Sequence, residues 1–276
     1  SGRGASVDDV SVSADGEASV LAKGGEPLKP SVVVLTQPVS QVLGASKFPV
    51  RGNFLNHTED AVLTGLKKVQ YSSRFAVAFF FDPSKVAWPY SWAARYFDKG
   101  DVRYVAHDTA KRGAKDEAMI SVVVHSGVPL GMEFLEEEEP FTAAADRLLK
   151  DLQTKLPELP WSSPQGMKVQ KWKYSQVYKG IGGSKLAPDW VWSSEASAPG
   201  YVELFRSEKS LGLLAGDALA PASNFEGCVY SAHKAAEALK SYFGSPDKGK
   251  HGSGGGYGSA GGSGVGDRAA EKRSDL

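Results

Sequence analysis

Residues 211–243, LGLLAGDALAPASNFEGCVYSAHKAAEALKSYF, decide how this chain folds. The run opens on apolar and small residues, Leu211 to Ala215, and reads as a strand. It turns at Gly216-Asp217, crosses an extended loop and becomes periodic. Cys228, Ala232, Ala235, Leu239 and Phe243 recur at helical spacing, which predicts an amphipathic helix with that stripe facing inward. A strand that ends in Gly-Asp and returns through a helix started by a glycine, here Gly227, is a dinucleotide-handling arrangement. Gly216 lets the backbone approach a ligand closely, and Asp217 can accept hydrogen bonds from sugar hydroxyls. The helix's first turn presents N–H groups to an electron-rich partner. A bland strand–turn–helix carries the same grammar, so both readings stand at this point.

Outward from this unit, SVVVLTQP (31–38) is a β-branched strand that stops at Pro38, with the character of a strand buried on both faces. Residues 7–22 alternate on either side of Asp15-Gly16, which supplies the turn of a hairpin. Residues 44–58 read as a loop. RFAVAFFFDP (74–83), VRYVAHD (102–108), MISVVVHS (119–126) and MKVQKWKYS (167–175) are strand candidates. The first three follow one another without intervening helices, across loops containing Pro83, Gly100 and KRGAKDE, so a largely antiparallel sheet is expected. EEEEPFTAAADRLLKDLQTKL (136–156) reads as a helix with Pro140 in its first turn and Phe141, Ala144, Ala145, Leu148, Leu149 and Leu152 on one face.

Totals narrow the function classes. Lys plus Arg and Asp plus Glu balance at 32 each, so no global field attracts nucleic acid or an anionic membrane. No apolar run approaches the roughly 20 residues of a membrane span. The single cysteine, Cys228, excludes an internal disulfide framework and suits an intracellular, reducing compartment, cytoplasmic or organellar. His107 and His125 lack partners at ligand spacing and read as structural histidines, so no metal is expected. Trp88, Trp92 and Trp161 read as core or pocket lining.

Six blocks, in order, resemble the renalase family within the larger flavin amine oxidase group: SVVVLTQPVSQVL (31–43), VQYSSRFAVAFFFD (69–82), VPLGMEFLEE (128–137), LPELPW (156–161), QKWKYSQV (170–177) and GDALAPASNFEGCVYSAHKAAEAL (216–239). QKWKYSQV and SNFEGC are the most telling, because neither follows from generic fold grammar. The resemblance implies an α/β (mixed α+β) architecture in two domains. A partial Rossmann-like FAD-binding domain would take residues 7–60 and 200–244. A substrate domain with a mixed or antiparallel sheet flanked by helices would take 61–199. Residues 1–6 would be a disordered end, and 245–276 a disordered Gly/Ser-rich tail.

The family's activity, as the resemblance implies it, is oxidation of aberrant dihydronicotinamide isomers of NAD(P)H, with O2 as acceptor and H2O2 as product. FAD would be held non-covalently. Carried over by position, Gly216 and Asp217 meet the ribityl or pyrophosphate region. Asn224, Phe225, Gly227 and Cys228 sit at the helix entrance beside the isoalloxazine, and Thr36 and Pro38 lie near the returning strand. Trp172 and Lys171 approach the flavin and substrate pocket, and Tyr71 and Arg74 face the same cavity. An amine oxidase, or a flavin-free fragment acting as a binding protein, are the competing readings.

The family's opening G-x-G-x-x-G strand–turn–helix has no counterpart here. GIGGSK (180–185) precedes LAPDWVW and reads as a surface loop. The N-terminus, SGRGASVDDV, reads as a cut end. If the first βαβ unit is absent, residues 32–35 and 211–215 should show an unpaired edge or an apolar face open to solvent. Oligomeric state is not legible.

Overall fold

The computed structural model describes residues 6–46, 48–113, 119–137, 141–161, 163–181 and 198–244. The expected loose end and tail, Pro140, and most of the KRGAKDE and GIGGSK loops lie outside these residues.

Strands β1 (Val7–Val12) and β2 (Ala18–Ala22) form the expected hairpin, with Gly16 at φ 79° in its turn. β3 (Val32–Leu35) is followed by a short helix, α1 (Val39–Val42), which begins straight after Pro38. A 3-10 turn at Phe54–His57 buries Phe54 within the stretch read as a loop, and α2 (Asp60–Leu66) follows. Next come β4 (Gln70–Phe81), β5 (Ala94–Tyr96), β6 (Val102–His107), α3 (Asp108–Lys111), β7 (Ile120–Ser126) and α4 (Val128–Glu133). The chain continues through α5 (Phe141–Lys155), β8 (Gly166–Lys179), β9 (Tyr201–Arg206), β10 (Leu211–Ala215) and α6 (Phe225–Gly244).

Among the described residues there are two sheets besides the hairpin. The smaller has the order β3-β10-β9, with β3 and β10 parallel and β9 antiparallel to β10. The larger, β5-β6-β7-β4-β8, is antiparallel throughout. Its alternation is strict along β4 from Arg74 to Phe81: Phe75, Val77, Phe79 and Phe81 are buried, while Arg74, Ala76, Ala78 and Phe80 point to the opposite face. The buried face packs on α5 through Ala144, Leu148 and Leu152, which lie on the face read from the sequence. Trp161 completes this core, edge-on to Phe79 and Phe81, with its indole N–H donated to the Leu156 carbonyl at 2.7 Å. A separate core joins the hairpin to the smaller sheet through Val10, Val12, Val33, Leu35, Leu204 and Leu214.

Two expectations need correction. β3 is not buried on both faces: Val33 and Leu35 are covered, but Val34 is 41% exposed. Among the described residues β3 is an outer strand, whereas β10 lies in the interior and is buried along its whole length, so the expected exposure falls on β3 alone. The inward stripe of α6 is also rotated. Gly227, Ser231, Ala235, Ala238 and Tyr242 are buried, and Cys228, Ala232 and Phe243 face outward. Small side chains let the helix axis come close to β10, and that gain in contact outweighs burying the larger Phe243. Ala235, Ala238 and Tyr242 meet Leu211, Leu213 and Ala215, with Leu239 partly covered at the margin.

Candidate functional site

The carboxyl ends of two adjacent parallel strands, β3 and β10, open onto one small cavity. Parallel strands place ligands at this end, where the chains diverge into loops. Thr36, Gln37, Pro38 and Val39 contribute from the β3 side, and Leu214 to Leu219 from the β10 side. Tyr71 of β4 and Tyr174 of β8 close it, their rings edge-to-face at 5.3 Å. The cavity measures about 100 Å³. That is well short of the few hundred Å³ of a complete small-ligand pocket, so these residues can hold an edge of a larger molecule.

The turn after β10 is held from three directions. Gly216 has φ 143° and ψ −178°, a combination essentially confined to glycine. Its N–H donates to Ser231 Oγ at 2.7 Å, and Ser231 donates in turn to the Gly200 carbonyl at 2.5 Å. Ser231, fully buried on α6, therefore ties the helix to both ends of the β9–β10 unit. Asp217 accepts a hydrogen bond from Ser223 Oγ at 2.5 Å, and Ser223 accepts one from the Val177 N–H at 2.9 Å. This relay fixes the carboxylate's orientation. On the opposite wall the Val39 N–H donates to the Tyr71 hydroxyl at 2.8 Å. Burial, with a smaller contribution from the Asp217 charge, pushes the Tyr71 phenol up to about 12. Tyr71 is a neutral phenol at any ordinary pH.

Five of the residues singled out from the sequence therefore meet here: Thr36, Pro38, Tyr71, Gly216 and Asp217. The helix-entrance group divides. Asn224 caps α6, its Oδ1 accepting the Gly227 N–H at 2.8 Å. Gly227 is required by close packing, since a Cβ there would lie 1.9 Å from the Ala222 carbonyl oxygen. Phe225 is 77% exposed on the outer face of α6. Cys228 is also exposed; partial desolvation and the Asp217 carboxylate raise its thiol above the usual range, so it is not an activated thiolate.

The β8 candidates separate as well. Trp172 pairs in register with Arg74 on the open face of the larger sheet and is 56% exposed. Arg74 Nη2 donates to Gln176 Oε1 at 2.6 Å. Neither lines the cavity. Lys171 points to the other face, where its ammonium bonds the carbonyls of Phe134 at 2.5 Å, Leu135 at 2.8 Å and Glu137 at 3.0 Å. It caps the end of α4 and is not brought to the cavity, a correction to its expected place. Adjacent residues on a strand point to opposite faces, and one position decided its role.

Sequence reasoning missed Gln37, Tyr174, Ser223 and Ser231. Tyr174 lies within QKWKYSQV, and its alternation with Trp172 was the available signal. Nothing local marks the two serines, whose partners are distant in sequence. Among the described residues no cluster of His, Cys, Asp and Glu has metal-site geometry, and no helix is long and apolar enough to cross a membrane.

No protein-family model matches the chain. Renalase of Mus musculus is 31% identical over 214 residues, covering 76% of this chain and 54% of renalase. Among solved structures, a redesigned putrescine oxidase superposes with a TM-score of 0.56 at 13% identity, covering 86% of this chain and 48% of that one. Cyclohexylamine oxidase from Brevibacterium oxydans gives 0.54 at 12% identity, covering 87% and 48%. The fold is thus the mixed α/β fold of the flavin amine oxidases. Within that class, the chain belongs to the renalase/amine oxidase-like family. It spans about half the length of these relatives.

Proposed function

We propose that this protein is an FAD-dependent oxidase of the renalase type. It converts dihydronicotinamide isomers of NAD(P)H to NAD(P)+, passing a hydride and a proton to O2 to give H2O2. The observation that carries this reading is the Gly216-Asp217 turn at the carboxyl ends of two parallel strands, facing Thr36, Pro38 and Tyr71. These residues fit part of a flavin nucleotide. A glycine backbone with nothing within 4 Å of its missing Cβ leaves room for close approach. A buttressed carboxylate accepts from ribityl or ribose hydroxyls. When bound, the flavin supplies the hydride acceptance and electron transfer to oxygen that side chains lack. Asp217 anchors, Tyr71 and Tyr174 wall the cavity as uncharged rings, and Ser223 and Ser231 hold the turn in place. Trp172 and Arg74 stand further along β4 and β8, toward the substrate side. With no activated thiolate at Cys228, the association is non-covalent. The two domains proposed are residues 7–60 with 200–244, and 61–199. The reducing intracellular compartment remains our proposal on the single cysteine.

The test is peroxide release by the FAD-loaded protein. Dihydronicotinamide isomers are compared with primary amines and with ordinary NAD(P)H. Peroxide from the isomers alone supports the reading. Peroxide from amines alone would move the protein to the amine oxidase branch, which the Tyr71–Tyr174 pair at the cavity mouth favours as a second reading.

A further inference from the structure

The open face of the larger sheet carries a continuous row of aromatic and cationic side chains across all five strands. Tyr96 on β5 pairs in register with Tyr104 on β6, their rings 4.8 Å apart. Tyr104 pairs with His125 on β7 at 5.3 Å. His125 faces the small Ala76 on β4, two residues from Arg74, and Arg74 pairs with Trp172 on β8. The opposite side chains of these strands, among them Phe75, Val105 and Val124, fill the core, so the row lies on one face. Lys111 extends over the Tyr104 ring at 5.8 Å. Burial, with smaller contributions from the charges of Arg74 and Lys111, holds the His125 imidazole below the usual histidine range. The acids nearby are engaged: Asp108 with Arg112 at 2.9 Å and Asp98 with Arg103 at 2.9 Å. The row therefore offers exposed ring faces, Tyr96 at 68% and Trp172 at 56%, beside positive charge. Four strand spacings of about 4.8 Å make it roughly 19 Å long.

We propose that this row is the subsite for the nucleotide portion of the dinucleotide substrate. The adenine stacks at Tyr104 and Tyr96, the phosphates lie against Arg74 and Lys111, and the nicotinamide end points toward Tyr71 and Tyr174. The chemistry matches on both counts. Aromatic faces take any base by stacking, and guanidinium and ammonium groups take phosphate. Direction follows from chain geometry: Trp172, at one end of the row, is two residues along β8 from Tyr174 in the cavity wall, about 7 Å, so the row runs outward from the cavity. The inference rests on the proposed function for the identity of the substrate, while the subsite itself needs no flavin.

ADP-ribose, which lacks the nicotinamide ring, is titrated into the protein and into its Tyr104→Ala, Tyr104→Phe and Lys111→Ala variants by calorimetry, with thermal melts as the fold control. The wild type should bind, with affinity falling as salt rises. Tyr104→Ala should lose at least tenfold and Lys111→Ala several-fold, while Tyr104→Phe should bind like the wild type. Should Tyr104→Ala not fold, the exposed Tyr96→Ala takes its place, with the same expected loss. No binding by the wild type, or equal binding by all variants, overturns the proposal. A second reading uses the FAD-loaded enzyme and compares kcat/KM for dinucleotide and mononucleotide dihydronicotinamides. A preference for the dinucleotide that Tyr104→Ala abolishes supports the subsite. Equal use of both by the wild type removes the subsite and leaves the proposed function standing. ADP-ribose binding without oxidation of either substrate supports the subsite and removes the proposed function.

Discussion

Gly216 shows how much one backbone position holds. Its φ of 143° lies where a side chain is strained, and open space around the missing Cβ means that conformation, not crowding, demands glycine. Gly216→Ala should cost about 1–3 kcal/mol of stability, read from the denaturant midpoint, and should weaken flavin binding in parallel. Ser223 is the complementary case. Ser223→Ala leaves the buried Val177 N–H without its partner and frees the Asp217 carboxylate to turn, for a loss of about 1–3 kcal/mol. Tyr71 gives a pH signature. Its folded phenol titrates at about 12 and an unfolded one near 10, so between these values the unfolded state holds fewer protons. The stabilising contribution is complete below pH 10 and is lost as pH rises through that window. A melt series at pH 9 to 12 should show a shallower fall for Tyr71→Phe than for the wild type.

At the scale of elements, α6 explains both what the sequence made legible and what it hid. The strand, the Gly-Asp turn and the helix were all readable in residues 211–243, because glycine placement and apolar runs are local signals. The helix's rotation was not readable. Helical periodicity alone cannot choose between a stripe of larger residues and a neighbouring stripe of small ones when close approach to β10 rewards the small set. Ala238→Leu should therefore destabilise by about 1–3 kcal/mol through overpacking, whereas Ala232→Leu, inward in the stripe read from periodicity but exposed here, should shift stability by no more than about 0.5 kcal/mol. Thermal melts of the two variants decide between the observed rotation and the one read from periodicity. The same limit governs β8. The strand was legible but not its two faces, so Lys171 was grouped with Trp172 although it caps α4 on the other side. β9 escaped altogether, since YVELFR is short and its pairing with β10 is registered only in three dimensions.

At the scale of the whole molecule, the described residues form, besides the hairpin, two sheets that pack on different cores, joined where Tyr71 of β4 and Val177 of β8 pack against the core of the hairpin and smaller sheet. The antiparallel character of the larger sheet followed from successive strands without helices between them, but its order, with β8 beside β4, depends on contacts about a hundred residues apart. The candidate cavity was legible only in part for the same reason: Thr36, Tyr71 and Asp217 come from three distant segments, and the family resemblance brought them together before the geometry did. The two cores predict distinct mutational behaviour. Trp161→Ala should cost about 3–5 kcal/mol by emptying the core beneath the larger sheet, with little direct effect on ligand contacts at Asp217. The central claim is that the Gly216-Asp217 cavity holds part of a flavin. It is tested most directly by titrating FAD into the purified protein and its Asp217→Ala variant and recording the visible absorbance spectrum. Resolved bound-flavin bands for the wild type, with affinity at least tenfold weaker for Asp217→Ala, are the predicted result. No bound flavin, or equal binding by both proteins, would contradict the account.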